Sequence, residues 1–145
     1  MPSAEPRADR RPMSATELDR QSRLLRACWG AFDAAAAEAT RDRVELRLGP
    51  RGGGRDVPKM ESHVSEADEA YLAQLGSRPP RLPGASLADR TAAVRAAALE
   101  TLAAVAGGKP VPDPRQTRHP WSPRYYVRRA AWHALDHAWE IEDRS

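Results

Sequence analysis

The feature that most constrains the fold of this chain is a set of four helix-like segments separated by proline- and glycine-rich links. Within each segment apolar residues recur every three to four positions, the spacing of one face of an α-helix. The segments run over residues 14–40, 58–76, 86–107 and 122–143. Because strand-like alternation is confined to a short extended piece at residues 44–48, the pattern predicts an all-α protein, an antiparallel four-helix bundle.

Local start signals support these helix boundaries. Ser14 is followed three residues later by Glu17, the pattern of a capping box. Ser86 opens the third segment with a similar signal, and Ser122 precedes Pro123, which suits the first position of a helix. The links between the segments are long for a bundle, so one crossover connection is expected.

The first residues of the chain have a different composition. They are rich in proline and arginine and lack apolar periodicity, so we expect a disordered tail over residues 1–13 and a single bundle domain over residues 14–145. No apolar run approaches the ~20 residues of a membrane span, and no signal-peptide pattern is visible. The single cysteine, Cys28, fits a reducing compartment. We therefore expect a cytoplasmic protein with no membrane partner.

The charge pattern disfavours a nucleic-acid partner. The net charge is only +3, and basic residues alternate with acidic ones along every helical segment. A nucleic-acid interface usually shows a basic stripe on one face. Binding through the arginine-rich tail stays open as a minor alternative.

Two of the four histidines, His133 and His137, are spaced by one helical turn in the last segment. On a helical wheel both fall on the apolar arc, among alanines that cannot bond an imidazole nitrogen. Histidines four apart can chelate one metal ion, and His63 on the apolar face of the second segment can supply a third nitrogen. Three neutral imidazoles with an open fourth position are typical of a reactive zinc-type site.

The choice of metal and the alternative to a metal site remain open at this stage. Zinc and nickel are favoured, but ligand type alone does not separate them from iron or manganese. The H-x3-H spacing also occurs by chance, and each histidine could then be an ordinary core or surface residue.

Four further residues are candidates for chemistry. Glu140 is the carboxylate nearest His133 on the wheel. It is a candidate for a general base, or for a residue that supports a metal ligand or faces solvent. Tyr126 lies on the same arc, where packing competes with donation to a substrate. Arg124 and Arg128 could attract an anionic thiol or carboxylate, or could form a solvated helix face.

Two stretches of the sequence resemble a known family. The second helix, SHVSEADEAYLAQLG, and the end of the last, HALDHAWEIEDR, resemble the DinB/YfiT-like superfamily of bacterial four-helix bundles. That resemblance implies that His63, His133 and His137 hold a divalent metal. The family often carries glutamine three residues after its last ligand and isoleucine at the next position. This chain has Glu140 and Ile141, so only the isoleucine matches.

The resemblance covers residues 14–144 and implies an up-down-down-up bundle, often a homodimer. It implies a metal-dependent enzyme acting on a small-molecule substrate. The favoured reaction type is S-transfer or isomerisation with a low-molecular-weight thiol such as bacillithiol, mycothiol or glutathione. Some relatives are hydrolases, and fold alone does not decide the reaction. A non-enzymatic, stress-related structural or interaction bundle is the alternative of a different class.

An aromatic series in the last segment favours a homodimer independently. Tyr125, Trp132 and Trp139 are spaced by seven and fall among charged residues. Exposed aromatic stripes usually mark a covered surface, and this spacing suits helix-on-helix packing. The alternative is that the N-terminal tail folds over the stripe.

Overall fold

The computed structural model describes residues 4–49 and 53–145. A short 3₁₀ helix, Arg7–Arg10, precedes four α-helices, α1 Ala15–Arg41, α2 Val57–Leu75, α3 Leu87–Ala106 and α4 Pro123–Arg144. The described residues contain no strand, so the prediction of an all-α bundle of four helices is confirmed, and each boundary agrees to within one residue. None of these helices combines the length and the apolar character that crossing a membrane requires.

Each α-helix begins at a side-chain cap that satisfies a backbone N–H left unpaired in the first turn. The caps are Ser14 for α1, Asp56 for α2, Ser86 for α3 and Ser122 for α4. At its other end α2 stops at Gly76, whose φ of 93° lies in the left-handed region. A side chain there would meet Val111 at 2.6 Å, so glycine is required on two counts.

The helices share one apolar core. The largest interface is between α1 and α4, and α2 packs on both α3 and α4. Fully buried side chains from all four helices fill the centre, among them Leu25, Met60, Leu72, Leu102 and Ile141. The contact between α2 and α4 brings the second and last segments together, as the sequence hypothesis for the histidines requires.

The N-terminal segment is more ordered than its composition predicts. Asp9 is 4% exposed, and its two carboxylate oxygens accept hydrogen bonds from Arg128 at 2.6 Å each. Glu5 accepts a hydrogen bond from the backbone N–H of Ser122 at 3.1 Å. In the structure, residues 4–13 therefore differ from the expected disordered tail. The composition of the tail does not show this, because the countercharges lie in the first turns of α4. Residues 1–3 lie outside the described residues.

The aromatic series on α4 is only partly exposed. Trp132 and Trp139 are 45% and 53% exposed, but Tyr125 is 2% exposed. The ring of Tyr125 packs edge-on against Trp121, with centroids 5.0 Å apart. The expectation that Tyr125 belongs to a surface stripe is therefore wrong, because Trp121 just before α4 covers it.

Candidate metal centre

The three histidines predicted as ligands meet between α2 and α4. His133 Nε2 lies 3.3 Å from His63 Nε2 and 3.2 Å from His137 Nε2. One ligand atom from each residue lies within 4.8 Å of the other two. A tetrahedral zinc ion with Zn–N bonds of about 2.0–2.1 Å holds its nitrogens about 3.3–3.4 Å apart. The group of His63, His133 and His137, the histidine cluster, therefore has the spacing of a metal site.

Small residues around the two α4 histidines leave room for this convergence. Ala130, Ala134 and Ala138 are all fully buried on the same side of α4. His133 and His137 are 8% and 9% exposed, whereas His63 is half-buried. The histidine cluster is thus closed on its α4 side and open to solvent beside His63.

Glu140 determines which nitrogen of His137 carries the proton. Its Oε2 lies 2.8 Å from His137 Nδ1, and a carboxylate can only accept, so Nδ1 donates and Nε2 keeps a free lone pair. Metal-binding histidines usually make such a bond with the nitrogen that does not bind the metal. Glu140 was expected near His133 on the helical wheel; in the structure its contact is with His137.

Hydrogen bonds among the imidazoles alone leave the cluster unsatisfied. Since His137 Nε2 is an acceptor, His133 Nε2 must supply the proton for their contact, and one proton cannot serve His63 Nε2 as well. In addition, His133 Nδ1 is buried with no hydrogen-bond partner among the described residues. A single cation at the centre would pair with all three Nε2 lone pairs at once.

A second layer of contacts holds Glu140 in place. Arg144 is 8% exposed and donates to Glu140 Oε1 at 2.9 Å and to the carbonyl of Arg47 at 2.7 Å. Gly54 lies so close that a Cβ there would be 2.4 Å from an Arg144 nitrogen. Sequence reasoning missed this role of Arg144, although the spacing of four from Glu140 on one helix was a readable signal.

The electrostatic surroundings keep two of the imidazoles neutral. Burial lowers the pKa of His133 to about 4, and the neighbouring His137 and His63 add to the effect. Burial and the nearby Arg55 guanidinium also lower the pKa of His63. Both side chains are therefore uncharged at neutral pH, the state in which imidazole binds a metal.

A shallow depression opens over His63 with a volume of about 290 Å³. Arg55, Lys59 and Glu66 line it together with Pro58, Ser62 and His63. Sequence reasoning missed Arg55 and Lys59 as candidates. For Lys59 a signal existed, because it stands four residues before His63 on α2, whereas Arg55 precedes the helix and had none.

The arginines predicted to bind a cofactor lie elsewhere. Arg124 donates to both carboxylate oxygens of Glu17, at 2.5 and 2.6 Å, and Arg128 is paired with Asp9. Arg124 also precedes His133 by about 13 Å of helix rise. The structure thus brings neither arginine to the histidine cluster but uses both to fasten the N-terminal segment.

Tyr126 belongs to a different polar group in the core. It is fully buried, and its hydroxyl has no hydrogen-bond partner among the described residues. Burial and the neighbouring Asp68 raise its pKa. Trp29, Asp68 and Arg95 complete this group, which we term the Asp68 cluster. Tyr126 is therefore a core residue with no bond to the histidine cluster.

Asp68 is 1% exposed, and neither of its carboxylate oxygens has a partner that meets hydrogen-bond geometry. Burial raises its pKa to about 7, even though Arg95 and the indole N–H of Trp29 oppose the shift. The Asp68 cluster therefore contains a buried carboxyl group whose neutral and charged forms are both accessible near neutral pH.

The cysteine and the fourth histidine are separate from the histidine cluster. Cys28 is 8% exposed, and burial raises the pKa of its thiol. A buried, neutral thiol of this kind packs as a small apolar side chain. His119 is exposed in the link before α4.

Comparison with known proteins yields no relative from which to transfer a function: no protein-family model, curated protein or solved structure matches the chain. The fold and the site by themselves define an all-helical protein with a three-histidine cluster open to solvent on one side.

Proposed function

We propose that this protein is a divalent-metal-dependent enzyme of DinB-like type, with the ion held by His63, His133 and His137. The observation that carries the proposal is the convergence of three Nε2 atoms, with separations of 3.2 and 3.3 Å between neighbours. The unpaired lone pairs of the cluster support a cation as the missing partner. Zinc and nickel suit three imidazole ligands best.

The chain's own residues have distinct tasks in this proposal. His133 and His137 form the closed wall of the site, and His63 forms its solvent side. Glu140 holds the proton on Nδ1 of His137, and Arg144 holds Glu140. A bound divalent ion supplies Lewis acidity, which lowers the pKa of a coordinated water or thiol. The open side at His63 admits the small-molecule substrate.

The favoured activity is thiol-dependent S-transfer or isomerisation rather than hydrolysis. A hydrolase of this type needs a general base to activate water. Glu140 is the carboxylate nearest the ligands, but its two oxygens are already engaged by His137 and Arg144. A thiol has an ordinary pKa of about 8.5, against about 15.7 for water, so a metal-bound thiol would lose its proton to solvent without a base. A low-molecular-weight thiol therefore fits the site better than water.

The proposal includes a cytoplasmic homodimer with the up-down-down-up arrangement of the resembling family. Trp132 and Trp139, exposed on one side of α4, supply the apolar surface for the second copy. Sedimentation equilibrium on the wild type and on a Trp132→Glu Trp139→Glu variant tests this part. The wild type should be a dimer and the variant a monomer.

Metal analysis of purified protein tests the site itself. Wild type should carry about one divalent ion per chain, the His133→Ala His137→Ala variant should carry almost none, and His119→Ala should match wild type. Equal metal content in wild type and double variant would remove the basis of the enzyme proposal. A screen of metal-loaded protein with thiol cofactors and with simple esters then separates transferase from hydrolase. Inactivity with metal bound would favour the non-enzymatic alternative.

A further inference from the structure

The histidine cluster has no unmatched negative charge to balance a bound metal ion. Three neutral imidazoles contribute none, and Glu140 is matched by the buried guanidinium of Arg144 at 2.9 Å. A divalent ion held there would keep nearly its full charge of two beside the buried side chains of His133 and His137. Because charges interact more strongly away from bulk water, such a centre favours an anionic group beside it.

The depression over His63 carries positive charge at the place where that group would enter. Arg55 and Lys59 line it together with Glu66, and Asp56 lies beside them. Arg55 has no hydrogen-bond or ion-pair partner within residues 4–49 and 53–145, and Lys59 makes only an exposed contact of 3.6 Å with Asp56. The guanidinium of Arg55 is therefore exposed beside the open ligand and available to bind an anion.

The position of these cations relative to His63 also fits a two-point site. Lys59 precedes His63 by one turn of α2, and Arg55 stands just before the helix begins. Long side chains on a helix lean towards its N-terminus. The cations therefore mark the approach to His63 from the N-terminal end of α2, where the partial positive charge of the helix adds to theirs.

We propose that this depression is an anion subsite, in which Arg55, assisted by Lys59, binds a carboxylate of a small molecule whose other end reaches the open side of the histidine cluster. The inference rests on the proposed function, since it takes the histidine cluster as the place where the other end binds. It names the ligand class: a thiol or substrate that carries a carboxylate. A planar guanidinium suits a carboxylate because it can donate two parallel hydrogen bonds.

The test compares two thiols of similar length on the cobalt-loaded protein. 3-Mercaptopropionate carries a carboxylate, and 3-mercaptopropan-1-ol carries a hydroxyl in its place. The near-ultraviolet charge-transfer absorption of a cobalt-bound thiolate reports binding of each, and cobalt content is measured in the same samples. Wild type should bind the acid about two- to fivefold more tightly than the alcohol, the scale of one partly exposed ion pair.

Matched variants assign that preference to Arg55. Arg55→Ala should abolish the preference and leave cobalt content unchanged, Arg55→Lys should retain part of it, and the exposed Arg26→Ala on α1 should retain all of it. Equal binding of the two thiols by cobalt-loaded wild type, or a preference that survives Arg55→Ala, would overturn the inference alone. Absence of cobalt from wild type would overturn the proposed function and, with it, this subsite.

Discussion

The histidine cluster and the Asp68 cluster are two buried polar groups with opposite chemistry. In the histidine cluster three imidazole nitrogens crowd one point, and their lone pairs outnumber the protons available to them. In the Asp68 cluster the donors Trp29 Nε1, Arg95 Nε and Tyr126 Oη accompany a carboxylate, and none of these atoms has a partner within hydrogen-bond geometry.

The difference indicates what each cluster lacks. Buried polar groups without partners destabilise a fold, so each such set calls for an explanation. Lone pairs that converge on one point are satisfied by a cation. A carboxylate among donors is satisfied by a proton or by a water molecule that bridges to them, which agrees with the raised pKa of Asp68. The histidine cluster is therefore the candidate for function, and the Asp68 cluster for pH-dependent stability.

The largest expected effect is the loss of one ligand from the histidine cluster. His63→Ala should weaken zinc binding about 10²–10³-fold, since one ligand of a zinc site contributes about 3–4 kcal/mol. Competition with a chromophoric chelator at pH 7.5 measures the affinity. His119→Ala and Asp68→Asn should both leave the affinity unchanged. A His63→Ala affinity equal to that of wild type would separate His63 from the site.

The next effect concerns acid stability of the metal-free protein. The pKa of His133 is about 4 in the folded state and 6.5 when unperturbed, so the unfolded chain binds more protons between these values. Protonation of His133 therefore leaves the unfolding free energy unchanged above pH 6.5 and lowers it as the pH falls towards 4. The loss should reach about 3 kcal/mol of unfolding free energy.

Urea unfolding with a chelator present, at several pH values, checks this for wild type against His133→Phe. The variant has no imidazole to protonate at this position, so wild type should lose unfolding free energy relative to it at acidic pH. The difference in unfolding free energy between the two proteins should shrink towards pH 7. A difference that does not depend on pH would show that His133 titrates normally in the fold.

Asp68 should have the opposite dependence. Its pKa is raised to about 7, so the folded state holds a proton that the unfolded chain releases near pH 4, and stability falls as the pH rises towards 7. Asp68→Asn should therefore stabilise the protein by up to about 4 kcal/mol at pH 8 and have little effect at pH 4. Chemical denaturation at both pH values measures this, with the exposed Glu142→Gln as control. Destabilisation at pH 8 would mean that charged Asp68 is well paired.

The smallest effect on metal affinity is expected for Glu140, which contacts the ligand His137. Glu140→Gln should weaken zinc binding about tenfold, because an amide oxygen still accepts from Nδ1 of His137 but no longer carries the charge that raises the basicity of the imidazole. The same chelator competition measures it. An unchanged affinity would show that the charge of Glu140 has no part in the site.

The helices and the histidine cluster could be predicted because their signals are local. The caps at Ser14, Ser86 and Ser122 depend on residues three positions away, and the spacing of His133 and His137 is one helical turn. His63 could be added because an imidazole on an apolar helical face is unusual enough to require a partner.

What could not be predicted depends on contacts between distant parts of the chain. Arg128 was expected to bind a cofactor, but its partner Asp9 is 119 residues away in a segment whose composition predicts disorder. Arg55 was overlooked because it precedes α2, where a helical wheel drawn for the helix alone does not extend. For Arg128 the charge was visible and its partner was not; for Arg55 the charge was visible and its place beside His63 was not.

The most direct test of the central claim is X-ray absorption spectroscopy at the zinc edge of the stoichiometrically loaded protein. The account predicts three imidazole nitrogens at about 2.0–2.1 Å from the ion, with the outer-shell scattering of histidine rings. A spectrum of wild type with one imidazole or none, and with oxygen ligands in their place, would contradict it.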